Sequence, residues 1–111
     1  MSWQDILTAA GYWDGGDLLR VPTSGTSGGE PRVVVRTLAS WTDSFAPFTD
    51  ATGIGGDDVV LAAGPHTSLF VYARAHAAWL GAGLLAEPRW RPALAADATV
   101  AHLTPTMLAD V

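Results

Sequence analysis

A tract of glycines and hydroxyl side chains restricts the fold more than any other feature of the sequence. The tract runs from Thr23 to Glu30, and apolar segments flank it closely, Leu18 to Pro22 before it and Val33 to Val35 after it. Both flanking segments have the length and residue types of short strands, and the second is β-branched throughout. The sequence therefore predicts a hairpin-like pair of strands joined by a glycine-rich loop.

The remainder of the chain predicts strands that alternate with helices. Helical spacing of apolar residues predicts a short helix within the first ten residues and a second helix from Thr37 to Asp50, and the continuous run Val59 to Leu61 indicates a strand covered on both faces. Further predicted elements are a helix with one face formed by Leu69, Tyr72, His76, Trp79, Leu80 and Gly83, a short strand that follows Gly83, a strand at Thr99 to Leu103, and a helix that begins at Pro105 with Thr104 as its cap. This order implies an α/β fold, a partial layered sheet with flanking helices.

Length and composition set limits on the class of protein. A chain of 111 residues is one small domain or a piece of a larger one, which we divide into an N-terminal helix and turn (1–17), a loop hairpin (18–37) and an alternating helix and strand part (38–111). The net charge of −5 argues against binding to nucleic acid or to a membrane surface. The absence of cysteine, of a signal peptide and of an apolar run near 20 residues favours a cytoplasmic protein.

The glycine tract has the chemistry of a phosphate-binding loop. Glycines allow backbone amides to turn inward into an anion site, hydroxyls add donors, and Arg32 adds a positive charge whose fork suits phosphate. A flexible linker has a similar composition and remains the alternative, although two closely spaced strands leave no room for separate domains. The candidate phosphate-binding residues are Thr23, Ser24, Gly25, Thr26, Ser27, Gly28, Gly29 and Arg32.

The Walker phosphate loop and the Rossmann glycine motif both lead into a helix. The loop of this chain differs from them because it leads into a strand. Together with Pro31 to Thr37, it resembles the phosphate-binding loop of the acyl-adenylate-forming ligase superfamily, which includes acyl-CoA synthetases. That family usually has Thr/Ser-Ser-Gly-Thr-Thr-Gly, one residue, then Pro-Lys. Here Ser27 replaces a threonine, Arg32 replaces the lysine, and one additional residue precedes Pro31.

Two later segments are similar to the same family. Val59 to Ala63 followed by Pro65 to Phe70 resembles the segment after the loop, where an aromatic residue or histidine lies near the acyl pocket, so the resemblance makes His66 a candidate pocket residue. Val100 to Leu108 resembles the family's strand that leads into Pro-Thr-Met-Leu. Little sequence precedes the loop, as in the o-succinylbenzoate-CoA ligases.

The resemblance implies a part of the large N-terminal domain of an enzyme that uses ATP, Mg²⁺ and coenzyme A to activate a carboxylic acid. The family's Tyr-Gly-x-Thr-Glu segment, ribose-binding aspartate and catalytic lysine do not occur here, and a helix of about seven residues after Pro105 would be marginal. We therefore expect a truncated chain that binds but does not catalyse alone. The alternatives are a non-catalytic binding or assembly module, including one that associates with itself, and a split subunit completed by another chain.

The remaining polar residues are predicted to have structural roles. His76 and His102 fall within apolar periodic segments, and no histidine pair has metal-ligand spacing. Asp57 and Asp58 precede a strand, where a turn role is more common than acid–base chemistry. We expect no catalytic residue and no metal ligand in this chain.

Overall fold

The computed structural model describes residues 2–23, 32–64, 67–87, 89–104 and 107–108. Within these ranges the chain forms a small α/β unit that contains a two-stranded antiparallel hairpin and a three-stranded parallel sheet, in agreement with the predicted class. The elements are α1 (Trp3–Ala9), β1 (Leu18–Thr23), β2 (Arg32–Thr37), α2 (Leu38–Thr52), β3 (Val59–Leu61), α3 (Ser68–Leu80), β4 (Gly83–Leu85), a 3₁₀ helix (Pro92–Asp97) and β5 (Val100–Ala101).

The first helix begins with a reciprocal cap. The Ser2 side chain accepts a hydrogen bond from the Asp5 amide at 3.1 Å, and the Asp5 carboxylate accepts one from the Ser2 amide at 3.3 Å. This arrangement satisfies two of the donors that a helix start leaves open. Ile6 and Leu7 of α1 are buried in the largest cluster of core residues, so the capped helix also covers one side of the fold.

The predicted hairpin is present, and its two faces differ. β1 and β2 pair in an antiparallel register that runs from Leu18 opposite Thr37 to Thr23 opposite Arg32. Because side chains alternate along a strand, Leu19 and Val21 lie on the inner face, where both are buried. On the outer face Val33 and Val35 are each 58% exposed.

The parallel sheet has the order β4-β3-β5, so the apolar run at Val59 to Leu61 forms its central strand. Val60 and Leu61 are completely buried, as expected for a strand covered on both faces. α3 connects β3 to β4, and the 3₁₀ helix lies between β4 and β5 in the sequence. The predicted strand after Gly83 and a shortened version of the predicted strand at Thr99 to Leu103 are both present.

The predicted face of α3 is confirmed in part, because His76 on it is fully buried and Tyr72 is partly buried. The helix ends at Leu80, with Gly81 as a left-handed C-cap (φ 81°), and Gly83 belongs to β4. Leu69 and Trp79 are exposed, whereas Ala73, Ala75 and Ala77 are buried. α3 packs against α1, the hairpin, α2 and β4, and small alanines permit that close approach on several sides. A single hydrophobic stripe therefore describes this helix poorly.

Arg74 on α3 connects the carboxyl ends of two parallel strands. Its Nε donates to the Ala62 carbonyl at 3.0 Å, and its Nη2 donates to the carbonyls of Gly64 and Glu87 at 2.7 and 3.3 Å. The residue is buried, and burial lowers the pKa of its guanidinium. Phe70 packs so closely on Gly64 that an added Cβ would lie 2.5 Å from the ring. The segment that leaves β3 is therefore tightly held.

The turn before β3 and the segment after β5 agree with local expectations. Asp58 accepts hydrogen bonds from the Gly55 amide and the Thr99 hydroxyl, which is the structural role predicted for this turn. Met107 and Leu108 are helical, and the Met107 amide donates to the Thr104 hydroxyl at 3.4 Å, as a helix cap does. No helix in the described ranges has both the length and the apolar character needed to cross a membrane.

Candidate functional site

A groove of about 640 Å³ lies between the hairpin, α2 and α3. Its lining includes residues at the start of α3, which follows β3, and His102, which follows β5. The groove therefore lies at the carboxyl ends of the parallel strands. In open α/β sheets this is the edge at which ligands bind.

The inner face of the hairpin forms one wall of the groove. Val21 is paired with Val34, and Arg36 lies two residues further along β2 on the same face. Arg32 has the same parity in β2, so it lies on this face at the opposite end of the strand. The hairpin thus places one arginine in the groove and another beside the glycine tract.

Aromatic side chains from both helices form the opposite wall. Trp41 and Phe48 are seven residues apart on α2, which places them on one face after two turns. The ring centroid of Tyr72 on α3 lies 5.1 Å from that of Trp41 and 5.3 Å from that of Phe48. Both contacts are edge-to-face, the arrangement that aromatic quadrupoles favour, so the three rings support one another.

A hydroxyl pair fixes Tyr72 within this wall. The Ser44 hydroxyl lies 2.6 Å from the Trp41 carbonyl and shares a 2.5 Å hydrogen bond with the Tyr72 hydroxyl, in which either oxygen can be the donor. Burial raises the pKa of Tyr72, while the bond to Ser44 lowers it to a smaller extent. The phenol is therefore neutral at physiological pH and serves to orient the ring.

Two histidines lie behind and beside the aromatic wall. The Thr49 hydroxyl donates to the Phe45 carbonyl, so His76 Nε2 is the donor in its 2.8 Å bond to Thr49. His76 Nδ1 then carries a lone pair, and neither this atom nor His102 Nε2 has a hydrogen-bond partner in the described part of the chain. The ring of Phe48 contacts both imidazoles, at centroid distances of 4.8 and 6.2 Å.

Burial is also the main cause of the perturbed titration of these histidines. It lowers the pKa of His76 and of His102, and the neighbouring charge of His102 lowers the pKa of His76 further. Both imidazoles are therefore neutral at physiological pH. The predicted structural role fits His76, which is fully buried, whereas His102 also lines the groove.

The electrostatic balance of the groove favours an anion. Among its described lining residues Arg36 is the one with a full charge at neutral pH, and no carboxylate lies on the lining. Within the described ranges the one ion pair joins Arg20 to Asp14 at 3.7 Å, away from the groove lining. Arg36 is therefore available to a carboxylate or phosphate.

The predicted site residues divide into two groups. Thr23 and Arg32 form the last pair of the hairpin register, so the strands hold both ends of the tract together. The residues between them and His66 lie outside the described ranges, and their predicted roles stay predictions. The predicted residues outside the described ranges are Ser24, Gly25, Thr26, Ser27, Gly28 and Gly29 of the tract, and His66 of the pocket.

Sequence reasoning missed the groove residues themselves, although signals for some of them exist. The parity of Arg32, Val34 and Arg36 places the two arginines on one strand face. The spacing of Trp41 and Phe48 places two rings on one helix face. No local signal brings Tyr72 or His102 to the same place, because those contacts depend on how distant elements pack.

Comparison with protein-family models, with curated proteins and with solved structures finds no match to this chain. The described residues also contain no group of three or more histidine, aspartate or glutamate side chains that could hold a metal ion. A functional assignment therefore depends on the sequence motifs and on the geometry of the groove.

Proposed function

We propose that this chain supplies the ATP phosphate-binding loop and part of the acyl pocket of an enzyme that adenylates carboxylic acids, of the acyl-CoA synthetase type. The observation that carries the proposal is the common wall: the hairpin that joins the glycine tract at its tip also forms one side of the groove. The same two strands would then connect a carboxylic acid in the groove with phosphates bound at the tract.

In such a reaction a carboxylate oxygen of the acid attacks the α-phosphorus of ATP. A phosphorus–oxygen bond forms, the bond between the α- and β-phosphates breaks, and pyrophosphate leaves. The thiol of coenzyme A then attacks the acyl carbonyl, and AMP leaves with the bonding electrons. The glycine tract and Arg32 would hold the β- and γ-phosphates, which carry most of the negative charge that develops.

Magnesium is expected to accompany the nucleotide. In nucleotide sites this ion keeps several waters and takes other ligands from phosphate oxygens and one or two carboxylates. All six basic residues of the chain are arginines, so a catalytic lysine of the kind the family uses would come from elsewhere. The proposal therefore assigns binding to these residues and not turnover.

Titration calorimetry with MgATP, magnesium pyrophosphate and AMP tests the phosphate site. We expect MgATP and pyrophosphate to bind and AMP to bind at least tenfold more weakly, because the tract contacts the terminal phosphates. Arg32→Gln should weaken MgATP binding by about tenfold, which corresponds to one charge-assisted hydrogen bond. The control is Arg89→Gln, at an exposed arginine outside the groove lining. Equal affinities for MgATP and AMP, or no MgATP binding at millimolar concentration, would reject the proposal.

A second candidate function is an assembly module, and the outer face of the hairpin favours it. Leu18, Val33 and Val35 are exposed there on a sheet of two strands, which is marginal without further packing. Such a face suits a second copy of the chain. Sedimentation analysis distinguishes the two functions, because a defined dimer that binds neither MgATP nor pyrophosphate supports assembly alone. Val33→Lys should then dissociate the dimer.

A further inference from the structure

The groove has the dimensions and the lining of a site for a small organic ligand. Its volume of about 640 Å³ falls within the usual range of such sites, roughly 300 to 1,000 Å³. Trp41, Phe48 and Tyr72 hold one another edge-to-face, which fixes the orientation of the ring surfaces along one wall. Fixed aromatic surfaces favour a flat, rigid ligand body over a flexible chain, because neither partner loses much conformational freedom on binding.

Two hydroxyl groups of the groove lining are already bonded within the protein. The Ser40 hydroxyl donates to the Thr37 carbonyl at 2.7 Å, and the Ser44 hydroxyl is bonded to the Trp41 carbonyl and to Tyr72. Groups that are already paired inside the protein do not recognise the many hydroxyls of a sugar. The ligand should therefore carry little polarity along its body.

The one charged side chain on the described lining of the groove is Arg36. Arg36 lines the groove, no described carboxylate pairs with it, and its planar fork matches the two oxygens of a carboxylate. The net charge of −5 repels anions from the chain as a whole, so a local cation is required to attract one. The charge of the groove is thus complementary to a single anionic group at one end of an apolar body.

We propose that the groove binds an aromatic carboxylate, with its ring system against Trp41, Phe48 and Tyr72 and its carboxylate on Arg36. As an assignment of the acid used in adenylation, this inference rests on the proposed function. As an assignment of a binding site, it requires no nucleotide. Single-ring and fused two-ring acids fit the groove better than long aliphatic acids.

Calorimetric titration with 2-naphthoate, 2-naphthamide and octanoate, without nucleotide, tests the inference. We expect 2-naphthoate to bind at least tenfold more tightly than its neutral amide, because the amide loses the charge-assisted bonds to Arg36. It should also bind more tightly than octanoate, which lacks a ring. Equal affinity for acid and amide would overturn the assignment to Arg36, and equal affinity for octanoate would overturn the aromatic class. No binding of 2-naphthoate up to its solubility limit would overturn both.

Two variants separate recognition by Arg36 from general effects on folding. Arg36→Gln should reduce the preference for acid over amide to nearly onefold, while Arg89→Gln keeps it. Leu69→Asp places a carboxylate at an exposed position of the groove lining and should weaken 2-naphthoate by about tenfold with little effect on the amide. Thermal unfolding of each variant verifies the fold. An unchanged preference in folded Arg36→Gln would overturn the inference.

The outcomes distinguish this inference from the proposed function. Binding of MgATP without binding of 2-naphthoate would overturn the aromatic-acid site and leave the phosphate site standing. Binding of 2-naphthoate without binding of MgATP or pyrophosphate would reject adenylation and retain the groove as a carboxylate site.

Discussion

The hairpin and the parallel sheet are both built from short apolar strands, but they are stabilised in different ways. In the sheet Val60 and Leu61 are completely buried, and Arg74 connects the strand ends from within. In the hairpin Leu19 and Val21 are buried on the inner face, whereas Val33 and Val35 are exposed on the outer face. The groove has the hairpin on one side and the helices α2 and α3 on the other, and α3 is the helix whose Arg74 holds the ends of the sheet strands. The predictions below compare the two regions.

The largest expected effect concerns the two arginines with the most different surroundings. Arg74→Met leaves the buried carbonyls of Ala62 and Gly64 without their donor, whereas the Glu87 carbonyl keeps its bond from the Gly64 amide. We expect a loss of about 3 to 5 kcal/mol in the free energy of unfolding. Chemical denaturation measures it. Arg20→Met on the hairpin removes an exposed ion pair with Asp14 and should have almost no effect. Equal losses of stability in the two variants would contradict the proposed difference in stabilisation between the parallel sheet and the hairpin.

The second effect compares valines in the two regions. Val60→Ala removes two methyl groups from a fully buried position and should cost about 2 kcal/mol, because a cavity remains. Val35→Ala, on the outer face of the hairpin, should change stability by less than about 0.5 kcal/mol. Denaturation midpoints of the two variants test this difference. A large loss for Val35→Ala would mean that something covers the outer face in solution.

The third effect is a pH dependence that belongs to the helical side of the groove. Histidine in an unfolded chain titrates near about pH 6.5, and burial lowers the pKa of His76 and His102 in the folded state. Between the folded and unfolded values the unfolded chain binds more protons. Stability is therefore complete above about pH 6.5 and is lost as the pH falls through this window, by up to about 1.4 kcal/mol per pH unit for each histidine.

Denaturation between about pH 7.5 and pH 5 measures this slope. His76→Gln should reduce it and His76→Gln with His102→Gln should reduce it further, since each variant removes a titrating group. Asp58 does not interfere, because the Gly55 amide and the Thr99 hydroxyl lower its pKa. Protonation of Asp58 therefore affects stability only at a more acidic pH than the measured range. A slope unchanged in the double variant would show that the buried imidazoles are not its source. The hairpin strands contain no histidine and should add nothing to the slope.

The smallest effect compares the starts of the two helices that line the groove. The Thr37 hydroxyl accepts a hydrogen bond from the Ser40 amide at the start of α2, whereas Thr67 makes no side-chain cap at the start of α3. Thr37→Ala should therefore cost about 1 kcal/mol and Thr67→Ala close to nothing. Thermal unfolding of the two variants distinguishes them. Similar costs would indicate that Thr67 caps α3 in solution.

Much of the local structure could be predicted from neighbouring residues. Helical spacing in the first ten residues indicates a helix, and the structure has one at Trp3–Ala9, where Ser2 and Asp5 form a reciprocal cap. The run of three valines after the glycine tract indicates a strand, and the continuous run at Val59 indicates a buried parallel strand. Each of these predictions depends on interactions within a few residues, or on burial of the whole element.

The burial of α3 could not be predicted in the same way. Its large residues were predicted to share one face, yet the buried residues also include Phe70, Val71 and three alanines, which lie outside that face. A periodic pattern identifies a helix that faces one partner, and α3 has partners on several sides. The role of Arg74 also depends on the partners, because carbonyls from three separate positions receive its hydrogen bonds.

The sequence by itself determined most of the helices and strands, because caps, β-branched strands and glycine C-caps follow from short-range sterics and hydrogen bonding. Only the tertiary structure decided where a ligand would lie. The hydroxyl pair of Ser44 and Tyr72 joins residues 28 positions apart, and the bond from His76 to Thr49 spans 27. Such contacts form when separate hydrophobic faces are buried together, and burial fixes distances that no local pattern contains.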